Sequence, residues 1–373
     1  MRKNFLRSLS LAFILAISMS GQALGAAPSN ELSKAKRDGK ANGYAFFVSH
    51  DEIVARAQKE GSLSVVANLE NRTIKAFIDS FKKKYPFIND IYIEPTTGTE
   101  AAQRIVLGLQ AKTLKADAIH ILVAFREEYT PHLWKVDLLG MAKHGVLDIP
   151  PPMIDQKNRN AVAIQHHFQP TAYNSKLVSP NLLPRTWEDF LRPELKGKKF
   201  ALDIRPKDVA ALVPVWGLEK TLVYARKLAG QEPIWVRGSR ALVAMTAGEI
   251  PMVVGPNFGA IKRLAEKDPQ GVLGYVIPEP VPVRFGGVQG LVAGARNPHV
   301  GLLWLEWLAS PEAQKMMDQL EFSSSVYVRD SLTERELRGK KLSLVDWEHY
   351  HDVEEWEKEV AKAYGFPEAD RKK

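Results

Sequence analysis

The stretch that determines the fold spans residues 61–123 and reads GSLSVVANLENRTIKAFIDSFKKKYPFINDIYIEPTTGTEAAQRIVLGLQAKTLKADAIHILV. Residues 63–67, 91–93 and 118–123 are short apolar runs, as expected for buried strands. Between the first two runs, apolar side chains recur at helical spacing over residues 74–85. Strands and helices that alternate at this period are typical of an α/β unit with a largely parallel sheet.

The same alternation restarts beyond residues 148–156, a passage that contains a run of prolines and is predicted to be irregular. Strands are predicted at 200–204 and 252–254, with a helix that starts near residue 207. A second proline-rich passage follows at 277–283. Two irregular passages around a self-contained middle portion predict a lobe that is inserted into the first, with two chain crossings as the hinge. Open α/β sheets bind ligands beyond the carboxyl ends of their strands, so the expected site lies between the lobes.

The predicted boundaries follow from these passages. We expect lobe 1 at residues 44–169 and 286–320, and lobe 2 at residues 170–285. The highly charged region 321–373 keeps apolar residues at helical spacing between 353 and 364. It is therefore predicted to be a helical region that packs on the body of the protein.

Residues 1–25 have the pattern of a secretory signal peptide. Arg2, Lys3 and Arg7 precede an apolar run at 9–17 that is too short to span a bilayer, and small residues at 23–25 suit cleavage before Ala26. The chain has no cysteine, which excludes disulfides and a lipid-modified cysteine anchor. Export without an anchor favours the periplasm of a Gram-negative cell.

Charge and motifs argue against several other functions. The formal net charge is +8, but lysine and arginine are scattered, so nucleic acid is not an expected partner. The pairs His166-His167 and His349-x-His351 do not provide three converging zinc ligands. The sequence has no cysteine nucleophile, no G-x-S-x-G and no G-x-x-x-x-G-K motif. We expect no enzymatic activity, no cofactor and no metal site, with a periplasmic hydrolase or transferase as the rival hypothesis.

Candidate ligand-binding residues lie where predicted strands run into helix starts. They are Asn68, Thr97 and Thr99 in lobe 1 and Arg205, Arg237, Ser239 and Arg240 in lobe 2. Free backbone N–H groups at a helix start attract anions, and a guanidinium group can bind an oxyanion through two hydrogen bonds. The two sets are therefore predicted to face each other across a negatively charged ligand.

Residues 171–203, TAYNSKLVSPNLLPRTWEDFLRPELKGKKFALD, resemble the central signature of bacterial extracellular solute-binding proteins. In that family a hinge-crossing strand ends in Tyr-Asn, here Tyr173-Asn174, and a Trp-Glu-Asp helix and a Pro-x-x-Lys-Gly turn follow. RGSRALVAMTAGEIPMVV (237–254) and VQGLVAGARNPHVGLLWLEWLASPEAQKMM (288–317) also resemble the family. The similarity is greatest to the branch that includes the ferric-iron-binding receptors.

The resemblance implies a type 2 periplasmic-binding fold, in which two α/β lobes close over a small-molecule ligand. It also implies a monomeric receptor that presents the closed form to an ABC transporter permease; a sensor kinase is an alternative partner. Tyr173 joins the ligand-binding candidates on this basis. A receptor of this kind carries no cofactor.

Ligand identity is where the chain departs from the iron-binding branch. Those receptors carry an adjacent tyrosine pair shortly after the Gly-Glu-Ile strand, whereas residues 255–259 read Gly-Pro-Asn-Phe-Gly and no tyrosine pair occurs in the chain. Asn257 can donate a hydrogen bond at this position. An organic or phosphorus-containing anion is therefore the predicted ligand, with ferric iron or an iron chelate as the alternative.

Overall fold

The computed structural model describes residues 30–238 and 240–366. Within these ranges the strands form two separate sheets, and helices surround both. The strands are β1 (Ser62–Ala67), β2 (Asp90–Pro95), β3 (Ala118–His120), β4 (Ala161–Phe168), β5 (Thr171–Asn174), β6 (Ala201–Asp203), β7 (Ile234–Val236), β8 (Met252–Val254), β9 (Leu273–Val276), β10 (Val281–Leu291) and β11 (Leu342–Val345).

The helices follow the strands in the alternation that the sequence predicts. They are α1 (Asn30–Ala41), α2 (His50–Glu60), α3 (Ile74–Lys84), α4 (Gly98–Gln110), α5 (Arg126–Tyr129), α6 (Leu138–Lys143), α7 (Lys207–Ala210), α8 (Val213–Trp216), α9 (Leu218–Ala229), α10 (Arg240–Thr246), α11 (Phe258–Ala265), α12 (Pro298–Ala309), α13 (Pro311–Met316), α14 (Leu332–Leu337) and α15 (Val353–Ala363). Short 3-10 turns connect several of them.

Lobe 1 is built on the first sheet, whose order is β11-β10-β3-β1-β2 with β4 paired to β10. Strand β1 is parallel to β2 and β3, and β10 is antiparallel to β3 and β4. The helix α12 is buried along its whole length except near its start, and Trp304 and Trp307 pack against Phe81 of α3. An all-round apolar helix of this kind forms the centre of a core.

Lobe 2 is built on the second sheet, with the order β7-β6-β8-β5-β9. Strand β6 is parallel to β7 and β8, and β5 is antiparallel to β8 and β9. Its core centres on Trp187, whose indole N–H donates to the carbonyl of Pro280 at 2.9 Å, and on Phe190 and Phe200. The carboxyl end of β6 leads to Arg205, and that of β8 leads to Asn257.

The chain passes from lobe 1 to lobe 2 between β4 and β5, and it returns between β9 and β10. The predicted boundary at residue 286 lies inside β10, and the irregular second passage is shorter than predicted. Pro282 lies in β10, because proline is tolerated close to the start of a strand, where few ladder hydrogen bonds are lost.

The C-terminal region contains a strand that the sequence analysis did not anticipate. Strand β11 extends the first sheet beside β10, whereas α15 packs on α7 and α9 of lobe 2. The chain therefore passes from lobe 1 to lobe 2 once more between these two elements.

The predicted signal peptide, residues 1–25, lies outside the described residues. Among the helices that are described, none has both the length and the apolar composition that a membrane crossing requires.

Candidate ligand-binding cleft

The two crossing strands bring Arg284 and His167 together between the lobes. Arg284 of β10 is the cross-strand partner of His167 of β4. The Arg284 Nη2 donates to Asn257 Oδ1 of lobe 2 at 3.2 Å. Gly286 allows the His167 ring to lie close, since a Cβ at this position would be 2.7 Å from the ring atoms Cδ2 and Nε2. Strands β4 and β10 therefore place polar side chains between the lobes, where Arg284 contacts lobe 2.

Lys207 and Arg205, in the segment that follows β6, lie close to Arg284. The positive charge of Arg284 is the main cause that lowers the pKa of Lys207, and burial lowers it further. Arg205 is held by Asp203, with Nη2–Oδ2 and Nε–Oδ1 distances of 3.0 and 3.2 Å. The Lys207 ammonium and the Arg284 guanidinium therefore repel each other across the cleft.

Of the two histidines in β4, His167 lies beside these cations, whereas the His166 ring packs against Phe285 and Tyr327. Burial lowers the pKa of both His166 and His167 to about 3, and the charge of Arg284 contributes at His167. Both imidazoles are therefore uncharged at neutral pH. Burial raises the pKa of Asp208 to about 7, so this carboxyl is only partly ionised and offsets little of the positive charge.

Two buried polar atoms in this cluster lack a hydrogen-bond partner among the described residues. They are Nε of Arg284 and Oδ2 of Asp208. An unpaired buried donor on a charged group is costly, since burial removes the water that would otherwise solvate it. An oxyanion between the lobes would accept from the guanidinium group and lower the repulsion from Lys207.

Direct contacts also join the lobe edges beside the cleft. Arg263 of α11 forms an ion pair with Glu70 of lobe 1 at 3.2 Å and donates to the carbonyl of Glu321 at 3.2 Å. A further hydrogen bond beside the cleft lies within lobe 1, where Asn68 Nδ2 donates to the carbonyl of Gly286 at 3.1 Å. The lobes are therefore in contact on this side of the molecule.

A family model described as bacterial extracellular solute-binding protein matches residues 154–352, just over half of the chain. The chain belongs to this family. The solute-binding function and the extracellular or periplasmic class that the sequence resemblance implied are thereby confirmed. No curated protein sequence matches the chain.

Solved structures show the same fold at low sequence identity. An iron- and citrate-bound FutA (IdiA) from Trichodesmium is 19% identical, with a TM-score of 0.63 over 81% of this chain and 99% of that chain. The ferric binding protein from Campylobacter jejuni is 17% identical, with a TM-score of 0.60 over 81% and 98% of the two chains. Iron-bound HitA from Pseudomonas aeruginosa is 16% identical, with a TM-score of 0.60 over 82% and 99%. The predicted type 2 periplasmic-binding fold is confirmed.

The structure of this solute-binding protein brings three of the predicted site residues to the cationic cluster. Asn257 contacts Arg284, and Asn68 donates to the carbonyl of Gly286, two residues further along β10. Arg205 acts electrostatically on both Lys207 and Arg284. Arg205 is already paired with Asp203, so it is less available to a ligand than a free guanidinium group.

The other candidates are distributed over both lobes of the solute-binding protein. Thr97 and Thr99 are exposed at the start of α4, and Thr97 makes no side-chain cap hydrogen bond. Arg237 and Arg240 are exposed beyond β7, the edge strand of its sheet. Tyr173 packs over Gly274 against the core of lobe 2. Ser239 lies outside the described residues.

Sequence reasoning missed Arg284, Lys207 and His167. One signal was present: Arg284 is a single charged residue in the strand sequence VPVRFGGVQGL, where burial is otherwise expected. For the His166-His167 pair, the sequence predicts only that it is not a zinc site. Only the pairing of β4 with β10 reveals that His167 lies beside an arginine.

Other polar clusters have simpler explanations. A cavity of about 310 Å³ in lobe 1 is lined by His50 and Glu306, but both Glu306 oxygens are used, by His50 Nε2 and the Asp148 N–H, each at 2.7 Å. In the part of the chain that the structure describes, one three-residue group has a geometry that could hold a metal ion, Asp346, Glu348 and His349. It lies in the passage between β11 and α15, which is partly exposed.

Proposed function

We propose that this protein is a monomeric periplasmic receptor that binds a small anion between its lobes and delivers it to an ABC transporter permease. The observation that carries the proposal is the pair of cations Arg284 and Lys207, one on the crossing strand and one on lobe 2. Their mutual repulsion lowers the pKa of Lys207, and Arg284 Nε has no partner among the described residues. A bound oxyanion would stabilise both groups.

The chemistry of the cleft favours an organic or phosphorus-containing anion over a bare ferric ion. Ferric iron requires hard anionic ligands, whereas the cleft is dominated by a guanidinium, an ammonium, a neutral imidazole and the Asn257 amide. The Asp208 carboxyl beside them is only partly ionised. The four dominant groups are donors of the kind that recognise carboxylate or phosphate oxygens. An iron chelate is the alternative, since a chelator such as the citrate of the Trichodesmium relative would present carboxylates to the same cations.

The receptor role also predicts that the ligand is released unchanged. A hydrolase or transferase that uses the same cleft is the rival from another class, and a turnover screen with purified protein separates the two. The permease is expected to recognise the closed form of the receptor, which the ligand stabilises by contacting both lobes. Nucleic acid is not an expected ligand.

The experiment that tests the proposal has two steps. Native mass spectrometry of the protein, purified without a denaturing step, identifies a retained ligand by its added mass. Calorimetry with that compound then compares the wild type with Arg284→Met. We expect an anion and a strong loss of affinity in the variant. A neutral or cationic ligand, or normal binding by the variant, would refute the anion site.

A further inference from the structure

The C-terminal helix α15 lies beyond residue 352, where the family match ends, yet it packs beside the cleft. Its buried residues Val360 and Ala361 belong to the face that meets lobe 2, together with Tyr364 just after the helix. Glu357 precedes them by three, four and seven residues, which places it on the same helical face. This face meets α7, the helix that begins with Lys207.

The segment that carries α15 is anchored on both lobes. On lobe 1, Val345 of β11 is the strand partner of Arg284, and the Trp347 ring lies 4.5 Å from that of Phe285. On lobe 2, the Trp235 ring lies 5.2 Å from the Tyr364 ring and 4.7 Å from the Phe366 ring. The helix is therefore held in a defined position relative to the cleft.

Glu357 is close enough to act on all three cations of the cleft. The pKa of Lys207 is lowered chiefly by Arg284 and by burial, and the charge of Glu357 opposes both. Burial lowers the pKa of Arg284, and Glu357 is the strongest charge that opposes it. The pKa of Arg205 is raised mainly by its hydrogen bonds with Asp203, and Glu357 adds to this effect.

We infer that Glu357 is a counter-ion built into the ligand cleft: α15 holds its carboxylate against Arg205, Lys207 and Arg284, and an incoming anion competes with it for these groups. The inference rests on the proposed anion site. A tethered carboxylate has a high effective concentration, so it lowers the affinity for any anion that uses the same cations. Glu357 therefore favours the binding of ligands that carry more negative charge than one carboxylate.

The test compares Glu357→Gln with Glu355→Gln, which removes the same charge from the opposite face of α15. Glu355 is 62% exposed and its nearest cation is Lys358, at 3.6 Å. Calorimetry with inorganic phosphate at constant ionic strength measures the competition. We expect Glu357→Gln to bind phosphate about tenfold or more tightly than Glu355→Gln, a gain of about 1.4 kcal/mol per factor of ten. Equal phosphate affinity in the two variants, or no phosphate binding by either, would overturn the competition.

A second readout needs no ligand. The pKa of Lys207 can be followed by NMR of ¹³C-methylated lysines, with Lys207→Arg to assign the signal. In Glu357→Gln the Lys207 pKa is expected to fall below its value in the wild type, and in Glu355→Gln it is expected to stay unchanged. An unchanged Lys207 pKa in Glu357→Gln would show that this carboxylate is not the counter-ion.

These results separate the inference from the proposed function. If Arg284→Met abolishes anion binding but Glu357→Gln has no effect, the anion site stands and the counter-ion fails. If Arg284→Met binds its ligand normally, the cleft assignment itself fails.

Discussion

Replacement of Arg284 by methionine should weaken ligand binding without destabilising the fold. Methionine has a similar length, but it removes the guanidinium group and its 3.2 Å contact with Asn257. Loss of one partner of a buried charge-assisted pair costs about 2–5 kcal/mol. Because the change also relieves the repulsion on Lys207, we expect a net loss of about 3 kcal/mol, or roughly a hundredfold in Kd.

Although Arg284→Met should weaken ligand binding, it should not lower the stability of the ligand-free protein. In the ligand-free protein Arg284 is half-buried near another cation, and its Nε has no hydrogen-bond partner among the described residues. An apolar side chain of similar size removes that cost, so the unfolding free energy should be unchanged or higher. Thermal denaturation without ligand therefore distinguishes a binding defect from a folding defect.

The assay is calorimetry with the compound that native mass spectrometry identifies. Arg56→Met is the matched control, since Arg56 is 53% exposed on α2 and pairs with Glu52 at the surface. It should bind with wild-type affinity. A loss of affinity of less than about threefold in Arg284→Met would show that the Arg284 guanidinium does not bind the ligand.

Two further changes test the surroundings of the cleft. Gly286→Ala would place a Cβ 2.7 Å from the His167 ring and should lower the unfolding free energy by about 1–3 kcal/mol in denaturant titrations. The control is Gly39→Ala, whose Cβ would meet ordinary 3.5 Å contacts and should not lower the unfolding free energy. Asp208 has its pKa raised to about 7, so the native state holds a proton that the unfolded state releases near pH 4, and its contribution to stability falls as pH rises between these values. Relative to wild type, Asp208→Asn should therefore gain unfolding free energy from pH 4 to 7, by up to roughly 4 kcal/mol, and the difference should stay constant above pH 7. A difference that does not change with pH would contradict the raised pKa of Asp208.

The local pattern of the sequence was enough to predict much of the fold. The predicted strand at 63–67 corresponds to β1, and the helix at 74–85 corresponds to α3. Hydrophobic periodicity is a local signal, so it identifies such elements without knowledge of their partners. Strand β11 was not identified because it is a short segment in charged sequence, and it is stabilised by its pairing with β10.

The binding cleft could be predicted only in part, because it depends on which strands are neighbours. Arg237 and Arg240 have the local setting that the sequence predicts, since Arg237 follows β7 and Arg240 is the first residue of α10. However, β7 is the edge strand of its sheet, and this position leaves both side chains exposed. His167 and Arg284 meet through the register of two strands far apart in sequence, and a register of this kind is not readable from periodicity alone.

Native mass spectrometry of the protein as purified tests the central claim most directly. We expect one additional mass per chain that is lost on denaturation and belongs to an anion with carboxylate or phosphorus-based oxygens. The same preparation of Arg284→Met should lack that mass. A retained ligand that is neutral or cationic, a bare ferric ion, or an equal amount of ligand on Arg284→Met would contradict an anion site at Arg284.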